Sequence, residues 1–302
     1  MIELTNINSK MNLNNGTQIP CVGYGTFRTP ADVAEKAVAD AIKVGYRHID
    51  TAAVYGNEEA VGKGIKDSGI DRKDLFVTSK LWNDNRGYES TKKAFQETLD
   101  RLQMDYLDLY LIHWPANQKQ FGTDASKINA ETWRAMEAIL KDGQARAIGV
   151  SNFNNERLTD LMDHGTIIPA VNQIEFNPHI HQQKIVDFDR SHGIKLEAWS
   201  PLGSGTLLKD PVVNKIAEAH NKSAAQVELR WGLQHGMIEL AKTIHEQRMK
   251  ENMEIFDFEL SADEMKEIDE LDQEKHSLWY HDFQWNGNPD GIGDYVATPD
   301  KW

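Results

Sequence analysis

Residues 74–114 read DLFVTSKLWNDNRGYESTKKAFQETLDRLQMDYLDLYLIHW, and the pattern of this stretch indicates the fold class. It opens with a short apolar run, continues with apolar residues that recur every three or four positions, and ends with a second apolar run. Short runs rich in branched and aromatic residues are typical of buried strands, whereas the longer period indicates an amphipathic helix. The stretch therefore predicts two parallel β-strands joined by a helix.

The same alternation continues along most of the chain. Predicted strands begin on average about 31 residues apart, which is the length of one strand–helix–strand unit. The predicted strands are Ile19–Thr26, Tyr46–Ala52, Asp74–Trp82, Asp105–Trp114, Arg146–Asn152, Ala170–Phe176, Lys195–Leu202 and Ile238–Ile244. The predicted helices are Ala31–Val44, Glu89–Gln103, Ala130–Lys141, Asn154–Met162, Gln182–Ser191, Val212–Asn221 and Ala224–Gln234.

Successive units of this kind most simply close into a (β/α)8 barrel, the TIM-barrel form of the α/β class. A doubly wound open sheet is the alternative that the pattern leaves open.

Within Lys10–Gln18, the pair Asn15-Gly16 predicts a two-residue β-hairpin turn, and such a hairpin would plug the bottom of a barrel. We expect residues 1–302 to form one domain, with the aromatic-rich tail His276–Trp302 folded over the active-site face as a substrate loop.

The composition argues against several kinds of partner. The 302 residues include 47 acidic and 33 basic side chains, a formal net charge of −14. Nucleic acids and anionic membrane surfaces prefer basic proteins, so neither is expected as a partner. No apolar run is long enough to span a membrane, and the first ten residues lack the features of a signal peptide. We expect a cytoplasmic protein that acts as a monomer.

Familiar nucleotide and metal motifs are incomplete. Gly23–Gly25 begins like a dinucleotide fingerprint, but Arg28 stands where the third glycine is required. Gly56–Gly64 resembles a P-loop with one residue too many and without the final Ser or Thr. His179 and His181 could share one face of a strand, but no third ligand accompanies them, so no metal site is predicted.

The barrel interpretation directs attention to the carboxyl ends of the strands, where active sites of this fold lie. Asp50 lies near the end of the second predicted strand and Tyr55 follows that strand, Lys80 lies near the end of the third, and His113 lies near the end of the fourth. Because side chains alternate along a strand, one register can point Asp50, Lys80 and His113 inward together. Each residue alone has an ordinary structural explanation, but their convergence at one end of the barrel predicts a catalytic site.

The four residue types suit the protonation of an oxygen atom. A lysine beside a tyrosine stabilises the phenolate, so we expect Lys80 to lower the pKa of Tyr55. A carboxylate at Asp50 would keep the lysine charged, and His113 could orient a carbonyl oxygen. A hydride donor would supply the missing half of such a reaction.

Segments of the chain resemble the aldo-keto reductase family over nearly the full length. They are, in order, GYRHIDTAAVYGNE, VTSKLWN, YLIHWP, GVSNF, VNQIEFNP, AWSPLGSG and KTIHEQRMKEN. The chain looks most similar to bacterial members that resemble diketogluconate reductases and prostaglandin F synthases. The resemblance implies Asp50, Tyr55, Lys80 and His113 as the catalytic residues, NADPH (or NADP) as the cofactor, and a small-molecule carbonyl substrate.

The resemblance also implies the cofactor and substrate contacts. The implied cofactor residues are Gly25, Thr26 and Phe27 at the first strand; Ser151, Asn152 and Gln173 at the carboxamide; Trp199 under the nicotinamide; Ser200, Leu202 and Ser204 along the pyrophosphate; Lys242, Thr243 and Arg248 at the 2′-phosphate; and Asn252 at the adenine. The implied apolar substrate wall is Phe27, Val54, Trp82 and Trp114. The chain departs from the family where Trp199 replaces the usual Tyr, and where Ala241 and Thr243 replace Pro and Ser.

Two other functions stay open at this point. One is a regulatory barrel that binds the cofactor with little turnover, and the intact set of four residues argues against it. The other is a lyase that uses Lys80 as a Schiff base. That chemistry needs a neutral lysine, whereas Asp50 would keep it protonated.

Overall fold

The computed structural model describes residues 4–116 and 121–274. The described strands are β1 (Lys10–Asn12), β2 (Gln18–Pro20), β3 (Val22–Gly25), β4 (His48–Asp50), β5 (Phe76–Leu81), β6 (Leu109–Ile112), β7 (Ile148–Ser151), β8 (Val171–Glu175), β9 (Lys195–Trp199) and β10 (Ile238–Ala241). Strands β3 to β10 pair in parallel as a closed barrel, in which β10 and β3 complete the circle. The predicted (β/α)8 barrel is therefore confirmed, and the open sheet is excluded.

Helices follow the barrel strands and cover their outer faces. The described helices are α1 (Ala31–Val44), α2 (Glu58–Asp67), α3 (Tyr88–Leu102), α4 (Ala125–Lys141), α5 (Asn155–His164), α6 (Gln183–Ser191), α7 (Pro211–His220), α8 (Ala224–Gln234), α9 (Glu246–Met253) and α10 (Ala262–Asp269). No helix in the described ranges is long and apolar enough to cross a membrane. The predicted substrate loop, residues 276–302, lies outside the described residues.

Helix α2 is not among the helices predicted from the sequence, although Asn57 followed by Glu58 and Glu59 indicates a helix start, and the structure shows that a helix begins there. The helix contains two glycines, which disfavour helices. The structure shows why they are there. A Cβ atom at Gly62 would lie 2.3 Å from the carbonyl oxygen of Leu102, and one at Gly64 would lie 2.3 Å from that of Glu35. The glycines therefore let α2 pack closely against its neighbours α1 and α3.

The hairpin formed by β1 and β2 lies across the bottom of the barrel, as predicted. Its turn differs from the prediction, because Gly16 has a φ of +86° and closes a loop of three residues, Asn14 to Gly16. The side chains of Asn14 and Asn15 donate to the carbonyl oxygens of Pro169 and Arg146, each at 2.9 Å. Those carbonyls lie just before β8 and β7, which fixes the hairpin at the amino ends of the strands.

The inward faces of the strands carry polar side chains in the upper barrel. The ring nitrogen Nε2 of His48 lies 3.0 Å from Thr78 Oγ1, so β4 and β5 point these residues into the same space. Gln173 on β8 reaches Asp50 on β4, which lies on the opposite side of the barrel. These contacts place His48, Asp50 and Thr78 on the inner face of the barrel, as the expected alternation along β4 and β5 requires.

Two carboxyl groups are buried on the outer side of the barrel wall. Glu228 of α8 and Glu239 of β10 are each 1% exposed, and none of their side-chain oxygens has a hydrogen-bond partner among the described residues. Gly232 makes room for them, since a Cβ atom there would lie 1.9 Å from Glu239 Oε1. Burial raises the pKa of both carboxyl groups well above the ordinary range, and the proximity of Glu228 adds to the shift at Glu239.

We predict that Glu239→Gln stabilises the protein more at pH 8 than at pH 5. A carboxyl whose pKa is raised on folding contributes stability that is present below its ordinary pKa, near 4.5, and is lost as the pH rises. The amide cannot ionise, so the melting temperature of the variant should exceed that of the wild type by at least about 2 °C at pH 8. Glu97→Gln, on an exposed side chain, is the control and should show no such difference. An equal effect at both pH values would contradict the prediction.

Candidate active site

A cleft of about 830 Å³ opens at the carboxyl ends of the barrel strands. This volume is within the range of sites for small molecules and cofactors. Its lining includes the predicted catalytic residues Asp50, Tyr55 and His113. It also includes the predicted cofactor and substrate residues Gly25, Phe27, Val54, Trp82, Trp114, Ser151, Asn152, Gln173, Trp199, Ser200, Leu202, Ser204, Lys242, Thr243, Arg248 and Asn252.

Thr26 is the predicted cofactor residue that does not line the cleft. Its side chain is fully buried, and both its backbone nitrogen and its hydroxyl lie 3.0 Å from the carbonyl oxygen of Asp50. The sequence could not show this, because the direction of the side chain depends on where β4 lies. Thr26 holds the end of β3 against the end of β4, so it supports the site from behind.

Lys80 lies behind the cleft and is fully buried. Oxygen atoms of neighbouring residues surround its ammonium group. Nζ donates to both carboxylate oxygens of Asp50, at 2.6 and 2.7 Å, and to the carbonyl oxygen of Thr51 at 2.9 Å. It also lies 3.4 Å from the hydroxyl oxygen of Tyr55. The lysine therefore reaches the cleft through the tyrosine.

The charge on Lys80 is stabilised inside the barrel. Burial alone would lower the pKa of Lys80, but the Asp50 carboxylate and the neighbouring Tyr55 outweigh it, and the pKa is raised above its ordinary value. For Tyr55 the balance is the reverse. Burial raises the pKa of Tyr55 to about 12, although Lys80 opposes the shift. The expectation of a lowered tyrosine pKa is therefore wrong for this structure, since desolvation outweighs the lysine.

His113 forms part of the same wall, just beyond the end of β6. Its ring meets the ring of Tyr55 edge to face, with centroids 5.8 Å apart, and meets Trp82 in the same way at 5.2 Å. Burial and the charge on Lys80 hold the pKa of His113 well below its usual value. The imidazole is therefore neutral at physiological pH and carries one N–H that can donate to a ligand.

Trp199 is anchored by the side chain of Asn152. The indole Nε1 donates to Asn152 Oδ1 at 2.9 Å. The amide nitrogen of Asn152 donates in turn to the carbonyl oxygen of His113 at 3.1 Å and to the hydroxyl oxygen of Ser151 at 3.0 Å. The substitution of Trp for the family's usual Tyr is thus accommodated by a partner for the indole N–H.

The far end of the cleft is basic. Lys242 and Arg248 both line it, close to the start of α9, and Thr243 lies between them in the chain. Lys242 Nζ lies 3.4 Å from the carbonyl oxygen of Arg28. Burial and the charge of Arg28 lower the pKa of Lys242. Arg28 also lines the cleft, and the sequence analysis assigned it no role there because it considered Arg28 only as a failed glycine position.

Other lining residues were beyond the reach of the sequence patterns. Lys222 and Ser223 border the basic end of the cleft, and Ser223 caps α8 through a capping box with Gln226. The capping box is a recognisable sequence signal, but it marks only a helix start. That this helix start borders the cleft follows from the closed barrel, not from the local sequence.

Of the pair His179 and His181, the structure gives the side-chain contacts of His181. The His181 ring packs against Trp231 with centroids 5.1 Å apart, and its Nδ1 lies 3.6 Å from a carboxylate oxygen of Asp272. Within residues 4–116 and 121–274, no three His, Cys, Asp or Glu side chains are placed to hold a metal ion.

Comparisons with known proteins agree with this geometry. The family model for the aldo/keto reductase family matches residues 21–273. The chain belongs to the aldo/keto reductase family. It is 50% identical over 272 residues to glyoxal reductase of Bacillus subtilis, a match that covers 90% of this chain and 95% of the relative.

Other relatives and a solved structure extend the comparison. The chain is 45% identical to morphine 6-dehydrogenase of Pseudomonas putida, over 87% of this chain and 90% of that protein. The structure of a Bombyx mori aldo-keto reductase in complex with NADP is similar at a TM-score of 0.85 and 36% identity, covering 96% of this chain and 98% of that one. The family resemblance and the oxidoreductase class expected from the sequence are thereby confirmed.

We predict that Asp50→Asn destabilises this aldo-keto reductase by about 3–5 kcal/mol, because it leaves the buried Lys80 ammonium without its counter-charge. Urea unfolding of the ligand-free protein measures the change. The double variant Asp50→Leu with Lys80→Met removes both charges. Its loss of unfolding free energy should therefore be smaller than the sum of the losses in Asp50→Leu and in Lys80→Met. A loss below about 1 kcal/mol for Asp50→Asn, the range of an exposed pair, would contradict a tightly coupled buried pair.

Proposed function

We propose that the protein reduces aldehydes and ketones to alcohols with NADPH as the hydride donor. The observation that carries the proposal is the arrangement of Tyr55, which lines the cleft and whose hydroxyl oxygen lies 3.4 Å from the ammonium nitrogen of Lys80. Asp50 holds that ammonium group through two short hydrogen bonds. The neutral His113 stands on the same wall.

Each of these residues has a part in moving one proton. Tyr55, whose pKa is raised by burial, keeps its proton at neutral pH and can give it to the oxygen of a carbonyl compound as that oxygen gains negative charge. Lys80 stabilises the phenolate that Tyr55 becomes, and Asp50 keeps Lys80 charged and in place. His113 donates its N–H to the same carbonyl oxygen and orients it. When bound, NADPH supplies the hydride that adds to the carbonyl carbon.

The residues of the cleft fit such a cofactor. Lys242 and Arg248 place positive charge at one end, on a chain whose formal net charge is −14. The start of α9 adds backbone N–H groups and the helix dipole, both of which favour a phosphate. The flat indole of Trp199, fixed by Asn152, offers an apolar face near the catalytic end. We therefore assign the phosphate-bearing part of NADPH to the basic end and the nicotinamide to the catalytic end.

The substrate wall favours compact carbonyl compounds with apolar parts. Phe27, Val54, Trp82 and Trp114 line the cleft beside Tyr55. The similar proteins named above, a glyoxal reductase and a morphine dehydrogenase, differ widely in the size of the compounds in their names. We propose small aldehydes and α-dicarbonyls as the first compounds to test. The tail 276–302 as a substrate loop, the monomeric state and the cytoplasmic location stay predictions.

The Schiff-base alternative fits the structure poorly. Lys80 is fully buried, and its pKa is raised, so the nucleophilic neutral amine is disfavoured.

NADPH oxidation in the presence of aldehydes, ketones and α-dicarbonyls tests the reductase directly. An absence of turnover with all of them, together with normal cofactor binding, would favour the regulatory barrel.

We predict that Tyr55→Phe lowers kcat by about 10²–10⁴, the usual contribution of general acid catalysis. The dissociation constant for NADPH should change less than twofold, because the lost hydroxyl faces the substrate. Tyr110→Phe is the matched control, since it removes a buried hydroxyl from a residue that does not line the cleft. Near-normal turnover by a folded Tyr55→Phe variant would refute the assignment.

We predict that Arg248→Ala weakens NADPH binding by about 10- to 150-fold, the value of a hydrogen bond to a charged group. NADH binding should hardly change, because NADH lacks the 2′-phosphate. Fluorescence titration with each cofactor measures the two constants. Lys250→Ala, on the same helix but paired with Glu246, is the control and should change neither. Equal losses for both cofactors would show that Arg248 supports the fold instead.

A further inference from the structure

A hydrogen-bonded chain continues below the catalytic residues into the barrel. The side-chain amide nitrogen of Gln173 donates to Asp50 Oδ2 at 3.0 Å and to Glu197 Oε2 at 2.6 Å. Gln173 and Glu197 are cross-strand neighbours on β8 and β9, whereas Asp50 lies across the barrel. Glu197 is fully buried. These hydrogen bonds link it to Lys80 through two intervening side chains, Gln173 and Asp50.

The two acceptors determine how the Gln173 amide is oriented. An NH2 group has two hydrogens, and Asp50 and Glu197 each accept one of them. The carbonyl oxygen therefore occupies the other end of the amide, on a residue that lines the cleft. The reverse orientation would place that oxygen against the Asp50 carboxylate. Without Glu197, one of the two interactions that select this orientation is lost.

Glu197 is also a carboxyl group without a partner of opposite charge in direct contact. Its Oε1 has no hydrogen-bond partner among the described residues and lies 3.6 Å from His48 Nε2. That nitrogen lies closer, at 3.0 Å, to the hydroxyl of Thr78. Burial and Lys80 lower the pKa of His48 to about 3, so the imidazole is neutral.

The charges that face Glu197 come from β4 and β5. Asp50 is negative and repels a second negative charge, whereas Lys80 attracts it but is already held by Asp50. Burial, with Asp50 as the next contribution, raises the pKa of Glu197 to about 8. Glu197 is therefore mostly protonated at neutral pH and ionises under mildly alkaline conditions.

We propose that Glu197 is a positioning residue, which holds the Gln173 amide with its oxygen toward the nicotinamide carboxamide and, by losing one proton, favours the oxidised cofactor over the reduced one. The proposal rests on the proposed function. The oxidised nicotinamide ring carries a positive charge and the reduced ring carries none, so a carboxylate beneath the site attracts only the oxidised form. By linkage, the oxidised cofactor must favour ionised Glu197 to the same extent.

The test is the dissociation constant of NADP+ and of NADPH, measured by fluorescence titration at pH 6.5 and pH 9. For the wild type, the ratio of the NADP+ constant to the NADPH constant should fall by about three- to tenfold between these values, which corresponds to a coupling of about half to one pKa unit. The ratio cancels the titration of the 2′-phosphate, which both cofactors share.

Two substitutions separate the two parts of the proposal. Glu197→Gln keeps an acceptor for Gln173 but cannot ionise, so it should bind both cofactors like the wild type at pH 6.5 and show a constant ratio. Glu197→Leu removes the acceptor as well, so it should weaken both cofactors by about fivefold or more, the value of one lost hydrogen bond. Glu239→Gln removes another buried carboxyl with a raised pKa and, as the control, should keep the wild-type ratio.

The outcomes distinguish the proposals from each other. A ratio that still changes with pH in Glu197→Gln would overturn the electrostatic part, and wild-type affinity in Glu197→Leu would overturn the positioning part. If Glu197→Leu does not fold, the ratio in Glu197→Gln still tests the electrostatic part. The positioning part is then tested with Glu197→Thr, whose side chain is too short to accept from Gln173. Lower cofactor affinity in a folded Glu197→Thr variant would support the positioning part, and wild-type affinity would overturn it. A wild-type protein that binds neither cofactor would instead overturn the proposed function and this inference with it.

Discussion

The buried ion pair between Lys80 and Asp50 is the interaction on which the site depends. Both side chains lie inside the barrel, and an isolated charge there would be very unfavourable. The pair is tolerated because the ammonium group finds the two carboxylate oxygens, one carbonyl oxygen and the Tyr55 hydroxyl within reach. Thr51 and Tyr55, which both follow β4, thus bring the loop after this strand into contact with the lysine.

The neighbouring strands are built to keep this pair in place. Asp50 pairs in register with Thr78 on β5, two residues before Lys80, so the lysine reaches the carboxylate on the neighbouring strand. Thr26 fixes the backbone of Asp50 from the side of β3. Asn57 adds a further restraint, since its side chain donates to the carbonyl oxygens of Thr26 and Thr29 at 3.0 and 2.9 Å.

Much of this arrangement could be predicted from the sequence. The alternation of strands and helices predicts the barrel, and the rule that barrel chemistry lies at the carboxyl ends of strands selects Asp50, Lys80 and His113. The pKa of Tyr55 could not be predicted, because it depends on how far burial outweighs Lys80. That balance is set by rings from separate loops, such as Phe27, whose centroid lies 5.1 Å from that of Tyr55.

Contacts across the barrel were the second kind of information that the sequence lacked. Gln173 and Asp50 are 123 residues apart, and no local pattern indicates that one donates to the other. These contacts across the barrel matter at the catalytic end of the cleft, to which the nicotinamide carboxamide of the cofactor is assigned. The amide nitrogens of Asn152 and Gln173 both donate within the protein. Gln173 therefore offers its side-chain oxygen to a ligand, and an amide NH2 group is a complement to such an acceptor, whereas Asn152 Oδ1 already accepts from Trp199 Nε1.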